Sequence, residues 1–359
     1  MKDLPFRVWP LYEDQTRMKH QVFSDYFDKW VKIVGKYRKV VYFDGFSGCG
    51  AYDDKGTVKF GSPILAAQIA EKNRLNLKRD ARLVIIDANK ENVDNIKKIL
   101  ECLKLDIKPI FVSEDFDKTV NEVLDDVKNL APTFFFIDPF GFKIKMATLR
   151  KIMERPNTEI LLTFMYNAIA RFLEAEKIEV AFNELFDCED WKKIRAEKGS
   201  NRENAIIRLY RTKLKEFSHF VYQYRMSFPD KERTYYYLFH LTNHPLGCSI
   251  MKSCFAKYNF GKVEYLGRLN AQKTLSEYAG TKAEDIKKDI LSILDSPRKY
   301  SNILETLIDE TPYLESELIK TLKKLEEEQK ICIVREPAST PTGRLRKSIE
   351  LQDTVIKKE

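Results

Sequence analysis

Apolar positions along this chain fall into two periods. Across residues 16–35 they recur at helical spacing, with Val22, Phe23, Tyr26, Phe27, Trp30 and Val31 on one face. That spacing predicts an amphipathic helix capped by Thr16. From residue 40 onward, short apolar runs alternate with helical patterns. Runs at 40–44, 82–87, 107–112, 133–138 and 159–166 predict strands, and 89–102 and 148–154 predict helices between them. Residues 51–60 read as a loop. Gly61-Ser62-Pro63 then opens another helix, with Ser62 as its cap and proline in the first helical position. The alternation argues an α/β fold with a doubly wound, mostly parallel sheet and a single ligand rim.

Beyond the fifth strand the pattern changes. Residues 172–216 are charged and helical, which predicts a helical insertion. Runs at 221–226 and 235–241 predict an antiparallel pair closing the sheet, and 245–258 the last helix of a domain spanning 1–270. A polar connection at 271–282 follows. Three short amphipathic helices at 286–294, 303–308 and 314–325 precede β runs at 331–334 and 348–351. Three helices and a hairpin predict a winged-helix-like domain over 283–359. Its third helix carries Glu315, Glu317, Glu326, Glu327 and Glu328 among lysines, so it is no basic recognition helix. Its wing, with Arg344, Arg346 and Lys347, is basic. This balance favours protein contact or dimerisation over duplex binding.

Composition narrows the setting. The chain has 359 residues, 43% apolar and 32% charged, enough for a full core. No run approaches the roughly 18 apolar residues of a membrane span. Met1-Lys2-Asp3-Leu4-Pro5 shows no apolar leader. Six scattered cysteines without a Cys-x-x-Cys pair predict neither a metal site nor a disulfide framework, and fit a reducing cytoplasm. A net charge of +8 permits a polyanionic partner without requiring one.

Candidate chemistry gathers at the strand ends. The first strand closes on Asp44, and Gly45, Phe46, Gly48 and Gly50 follow. Glycines let a backbone approach a ligand, and ligands in such sheets sit beyond the carboxyl ends of the strands. An acid there suits a positively charged group. S-adenosylmethionine carries an ammonium and a sulfonium and is the expected cofactor. Asp87 closes the second strand, placed to accept ribose hydroxyls. Asp115 follows the third strand, where it would take an adenine amine with Phe116 beside the ring. Asp138 closes the fourth and runs into Pro139, Phe140, Gly141. The helix start at Ser62 would take a carboxylate. Asn167 and Arg171 lie past the fifth strand on the same rim, as substrate contacts.

Read together, these residues have a family likeness. Asp44-Gly45-Phe46-Ser47-Gly48-Cys49-Gly50 resembles the first motif of class I S-adenosylmethionine-dependent methyltransferases, with Phe46 in place of the usual first glycine. Asp138-Pro139-Phe140-Gly141 resembles their Asp-Pro-Pro-Tyr motif, with Phe140-Gly141 where the adenine enzymes have Pro-Tyr. With Lys19-His20, Tyr26, Trp30, Gly61-Ser62-Pro63 and residues 236–245, the stretch from about 5 to 265 resembles the three-Cys-motif partner (TcmP) family. Its members are inferred methyltransferases named for an encoded partner with three cysteines. The layout is also similar to the bacterial large-subunit ribosomal-RNA adenine-N6 methyltransferase, in which a Lys-His pair and a serine lie at the cofactor.

The resemblance implies a Rossmann-like fold and N-methylation of a nucleobase amino group in DNA or RNA, alongside the three-cysteine partner. It implies catalytic roles for Asp138, Pro139 and Phe140, with Gly141 at the substrate. It adds Lys19, His20 and Ser62 to the cofactor set of Asp44, Gly45, Phe46, Gly48, Gly50, Asp87 and Asp115. Two alternatives stand beside it: a cofactor-binding regulatory subunit of a partner enzyme, and a DNA-binding winged-helix protein with a vestigial α/β domain.

Overall fold

The computed structural model describes residues 4–227, 233–258, 263–266, 272–274 and 283–358. The predicted connection at 271–282 lies outside the described residues apart from 272–274. The chain divides into two compact units, Met1–Gly247 and Cys248–Glu359.

In the first unit, α1 (Asp14–Gly35) precedes β1 (Val41–Gly45), the hairpin β2 (Ala51–Asp54) and β3 (Thr57–Phe60), and α2 (Ser62–Asn73). Then come β4 (Arg82–Ile86), α3 (Lys90–Leu103), β5 (Ile110–Val112), α4 (Phe116–Asp126), β6 (Thr133–Ile137), α5 (Met146–Met153) and β7 (Thr158–Phe164). The helical insertion holds α6 (Tyr166–Phe172), α7 (Glu179–Phe186) and α8 (Gly199–Lys215), and β8 (Phe220–Ser227) and β9 (Thr234–Thr242) follow it. The sheet order here is β8-β9-β7-β6-β1-β4-β5. Strands β5, β4, β1, β6 and β7 are parallel, and β9 pairs antiparallel with both β7 and β8. Every residue of β1 and β6 is buried, as expected of central parallel strands covered on both faces.

Alternation along the strands decides what α1 meets. Side chains two residues apart share a face, so Tyr42 and Asp44 on β1, and Phe134, Phe136 and Asp138 along β6, look the same way. The α1 stripe packs there, with Phe23 4.8 Å from Phe136, Phe27 4.8 Å from Tyr42 and Tyr26 5.5 Å from Phe134 between ring centres. The opposite face carries the stacked pair Phe43 and Phe135. Lys19 precedes Phe23 by about one helical turn, which brings its ammonium to the end of β6.

Several boundaries differ from expectation. Thr16 is not the cap of α1. The helix starts at Asp14, because Glu13 is extended and its carbonyl takes the Arg17 amide at 2.9 Å. Ser62 is the first residue of α2, and Gly61 holds the capping position without a side-chain bond. Residues 51–60 are not a loop but a hairpin in register Ala51↔Phe60 to Asp54↔Thr57. Its two-residue turn is Lys55-Gly56, both with positive φ (52° and 89°), as a tight hairpin requires. The third strand begins at Ile110 rather than 107.

The division between the units falls within α9 (Pro245–Lys257). The second unit contains the antiparallel pair β10 (Val263–Leu266) and β11 (Gln272–Thr274). It also holds α10 (Ala283–Ile293), β12 (Arg298–Lys299), α11 (Tyr300–Leu307), α12 (Glu315–Glu327), β13 (Ile331–Val334) and β14 (Thr354–Lys357). β14 lies between β12 and β13 in a three-stranded antiparallel sheet. The second β run is therefore 354–357 and not 348–351. The earlier stretch turns because Asp353 accepts the Glu350 and Glu336 amides at 2.9 and 3.0 Å. Arg346 is correspondingly not a free basic tip but a buried partner of Asp353. Lys252 of α9 is fully buried and donates to the carbonyls of Ile308 (2.7 Å), Thr311 (2.9 Å) and Tyr313, beyond the end of α11. Burial lowers its pKa to about 8. Among the described residues, no helix is long and apolar enough to cross a membrane.

Candidate functional site

The chain moves from β1 outward to β4 and β5, then returns to the other side of β1 for β6 and β7. The winding direction thus reverses between β1 and β6, the position at which sheets of this kind bind ligands beyond the strand ends. Asp44 stands at the end of β1, and Asp138 directly follows β6.

Asp44 is fully buried. The Tyr42 hydroxyl, two residues back on the same face, donates to its Oδ2 at 2.6 Å. Its Oδ1 meets no donor at bonding geometry, although the Ser62 hydroxyl is close enough to favour the ionised form. Burial outweighs both hydroxyls and pushes the Asp44 pKa up to about 7. The Ser47 hydroxyl is likewise buried without a partner.

The glycine loop is fixed from below. Phe46 and Ser47 donate their amides to the Ile86 carbonyl at 3.1 and 3.0 Å. Phe46, Gly48 and Gly50 all have positive φ, at 70°, 61° and 80°. A Cβ on Gly48 would lie 2.8 Å from the Trp9 ring, and one on Gly45 would lie 2.5 Å from the Phe116 ring. Asp87 braces this loop. Its Oδ2 accepts the Gly48 amide at 2.8 Å, and its Oδ1 accepts the Asn89 amide at 2.9 Å and the Asn92 side chain at 3.1 Å.

Lys19 donates to Asp138 Oδ2 and lies 5.5 Å from the centre of the Tyr236 ring. The Asp138 amide in turn reaches the Gly45 carbonyl at 3.3 Å, tying the ends of β6 and β1 together. His20 is buried, with Nδ1 3.0 Å from the Tyr12 hydroxyl. Burial, with the Lys19 charge adding to it, lowers its pKa to about 3, so the ring is neutral near pH 7. Pro139 is buried while Phe140 is 72% exposed, and the space around the Gly141 α-carbon is open.

Three expected site residues hold bonds or exposure of their own at the strand ends. Asp115 caps α4, accepting the Lys118 amide at 3.0 Å, and Phe116 lies buried against Gly45 and Phe46. Asn167 and Arg171 lie one turn apart on α6. Asn167 accepts from Arg233 at 2.5 Å, and Arg171 is exposed. Sequence reasoning missed Trp9, Tyr12 and Tyr52. The segment before α1 pairs with the hairpin through Trp9 N to Ala51 O (2.9 Å), Asp53 N to Trp9 O (2.8 Å) and Tyr12 N to Asp53 O (2.8 Å). Trp9 therefore lies edge-on to Phe140 with ring centres 5.6 Å apart, and Tyr12 and Tyr52 flank His20. Two aromatics within a few residues of the α1 start were the available signal.

No family model and no curated protein matches this chain. Solved structures with a similar course include a Legionella pneumophila protein, LPL1258, at 12% identity and TM-score 0.41, covering 70% of this chain and 95% of that one. A putative O-methyltransferase from Klebsiella pneumoniae matches at 10% identity and TM-score 0.37, over 64% of this chain and 88% of that one. An O-methyltransferase from Bacillus cereus, in complex with SAH, matches at 12% identity and TM-score 0.36, over 61% and 80%.

Proposed function

We propose that this chain is an S-adenosylmethionine-dependent methyltransferase acting on a nucleobase amino group in DNA or RNA, together with a three-cysteine partner. The observation that carries this reading is the pairing of two acids across the reversal point of the sheet. One is buried with an unsatisfied oxygen, and the other stands at the rim beside an exposed aromatic ring.

The residues present fit the cofactor. Asp44 Oδ1 and the Ser47 hydroxyl are buried polar atoms awaiting partners, and the loop beside them has no room for a Cβ at Gly45 or Gly48. An unpaired buried polar group is costly, so a ligand that satisfies it gains binding energy. When bound, the cofactor supplies an electrophilic methyl group on a positively charged sulfur. Asp44 would hold its ammonium, and Ser62 with the first amides of α2 its carboxylate. His20, being neutral, would serve as a hydrogen-bonding group and not as a counter-charge. Asp87 already accepts from three protein donors. A carboxylate has about four acceptor sites, which leaves room for one ribose hydroxyl rather than two. Asp115 gives one oxygen to its helix cap, and its other oxygen would take the adenine amine.

At the rim, Asp138 would accept the hydrogens of the target amine, where positive charge grows as the nitrogen reacts. Phe140 would stack on the base, worth about 1–3 kcal/mol. Lys19 shares the Asp138 carboxylate and sets its orientation. That ion pair also favours a second reading, a cofactor-binding subunit whose partner performs the chemistry, because it leaves Asp138 neutralised.

The test uses cofactor labelled on its methyl group, incubated with separated DNA, RNA and protein, with and without Asp138→Ala. Label entering a nucleic-acid fraction and lost in the variant is the expected result. Cofactor binding with no label in any fraction selects the second reading. Failure to bind the cofactor at all removes both.

A further inference from the structure

Three cations at this rim have no carboxylate partner among the described residues: Lys143, Arg171 and Arg233. Several cations of the same unit are held by acids instead. Lys145 meets Glu184, Arg150 meets Asp187 and Glu216, and Arg202 meets Glu174. Side-chain contacts connect the segments that carry these three. The Arg233 guanidinium donates to Asn167 Oδ1 at 2.5 Å. Arg171 lies one turn further along α6, on the same helix face as Asn167. The next residue, Phe172, is 40% exposed and meets Phe142 edge-on at 5.9 Å. Phe142 adjoins Lys143 and follows the exposed Phe140 by two residues.

The geometry points to this strip as a binding tract for single-stranded nucleic acid, with Arg171, Arg233 and Lys143 on successive phosphates and the Phe140 and Phe172 rings as stacking platforms. Unpaired cations cost nothing in water. Set near exposed rings, they match a chain that alternates anionic phosphates with flat bases. A duplex would bury its bases away from the rings, so the tract favours a single strand. Arg171 and Arg233 present forked donors suited to phosphate oxygens. The inference rests on the methyltransferase reading for its purpose, but the tract itself is readable without cofactor.

The experiment measures binding of a fluorescent oligonucleotide of mixed sequence to the full chain by anisotropy, without cofactor, across a salt series. RNA, single-stranded DNA and duplex DNA are run in parallel. Three phosphate contacts predict a log–log salt slope of about −2, from roughly −0.7 per contact. The variant Arg171→Glu with Arg233→Glu should weaken single-strand binding by about tenfold or more at low salt and flatten the slope by about 1.4. Arg38→Glu, before β1 at the opposite end of the strands, should leave binding unchanged.

Equal losses in the Arg38 control and the rim variant would overturn the tract, since general charge would then explain the binding. So would a preference for duplex, or equal affinity for poly-glutamate, which would make the strip a docking face for an acidic protein. Cofactor titrations on the same variants separate the two claims. A rim variant that binds cofactor normally but loses the oligonucleotide supports the tract. A wild type that binds the oligonucleotide but never the cofactor retains the tract and refutes the methyltransferase reading.

Discussion

The Tyr42 hydroxyl donates to Asp44 Oδ2 at 2.6 Å and leaves the other carboxylate oxygen of a fully buried acid without a donor. A hydrogen bond within one strand thus turns Asp44 so that one acceptor stays vacant beside the glycine loop.

Asp44 should make ligand binding pH-dependent. Its folded pKa is raised from 3.8 to about 7 by burial. The group therefore contributes stability that is full below 3.8 and is lost as pH rises through about 7. A ligand ammonium needs the ionised form. Affinity for S-adenosylmethionine should rise by up to about tenfold per pH unit below 7 and level off above it. Calorimetric titrations from pH 5.5 to 8.5 check this, and Asp44→Asn should bind weakly with no such slope.

Gly48→Ala should destabilise the first unit by about 1–2 kcal/mol from its left-handed φ of 61° alone. The contact with Trp9 at 2.8 Å adds to this. Urea denaturation of the single variant and of Gly48→Ala with Trp9→Ala separates the two causes. The second change should relieve the contact and leave the backbone cost.

Replacing Asp138 by Asn keeps its shape and removes its charge. Methyl transfer should fall by about 10²-fold or more, with cofactor affinity kept within about threefold, since Asp44 and the loop are untouched. Lys19→Met should lower transfer while leaving the Asp44 pH profile in place. Single-turnover rates alongside binding titrations check both.

Lys252→Met should cost the second unit about 1–3 kcal/mol, because three buried carbonyls lose their donor. The folded pKa of Lys252 is lowered from 10.5 to about 8. Its contribution is therefore full above 10.5 and lost as pH falls through about 8. Chemical denaturation of both proteins at pH 7, 8, 9 and 10 should show the gap widening with pH.

The parallel strands were legible because each is a short apolar run, and four of the five lead into an acid; burial on both faces demands the apolar composition of the central ones. Asp44, Asp87 and Asp138 announced the rim in the same way. Partnership was not legible. The ion pair of Lys19 with Asp138 depends on α1 lying over one face of β6, which no local pattern states. The helix cap at Asp115 was not singled out, because a helix cap and a ligand acceptor ask for the same residue after a strand. The hairpin at 51–60 was hidden because Lys55-Gly56 does the work usually given to Asn-Gly, with a lysine in the left-handed region. Trp9 escaped because its place comes from pairing with that unforeseen hairpin.

The hairpin also has a bearing on how this rim can diversify. Gly61 donates its amide to the Gly50 carbonyl at 2.9 Å, so the ten residues between them leave and rejoin the framework at one point. Their tip at Lys55-Gly56 is exposed, while Ala51 and Tyr52 at the base meet Trp9. The segment behaves as a cassette clipped into the junction between the glycine loop and α2. Its exposed tip can be exchanged without unseating the framework, because the bonds of Ala51 and Asp53 to the segment before α1 hold the base and the Trp9–Tyr52 wall in place.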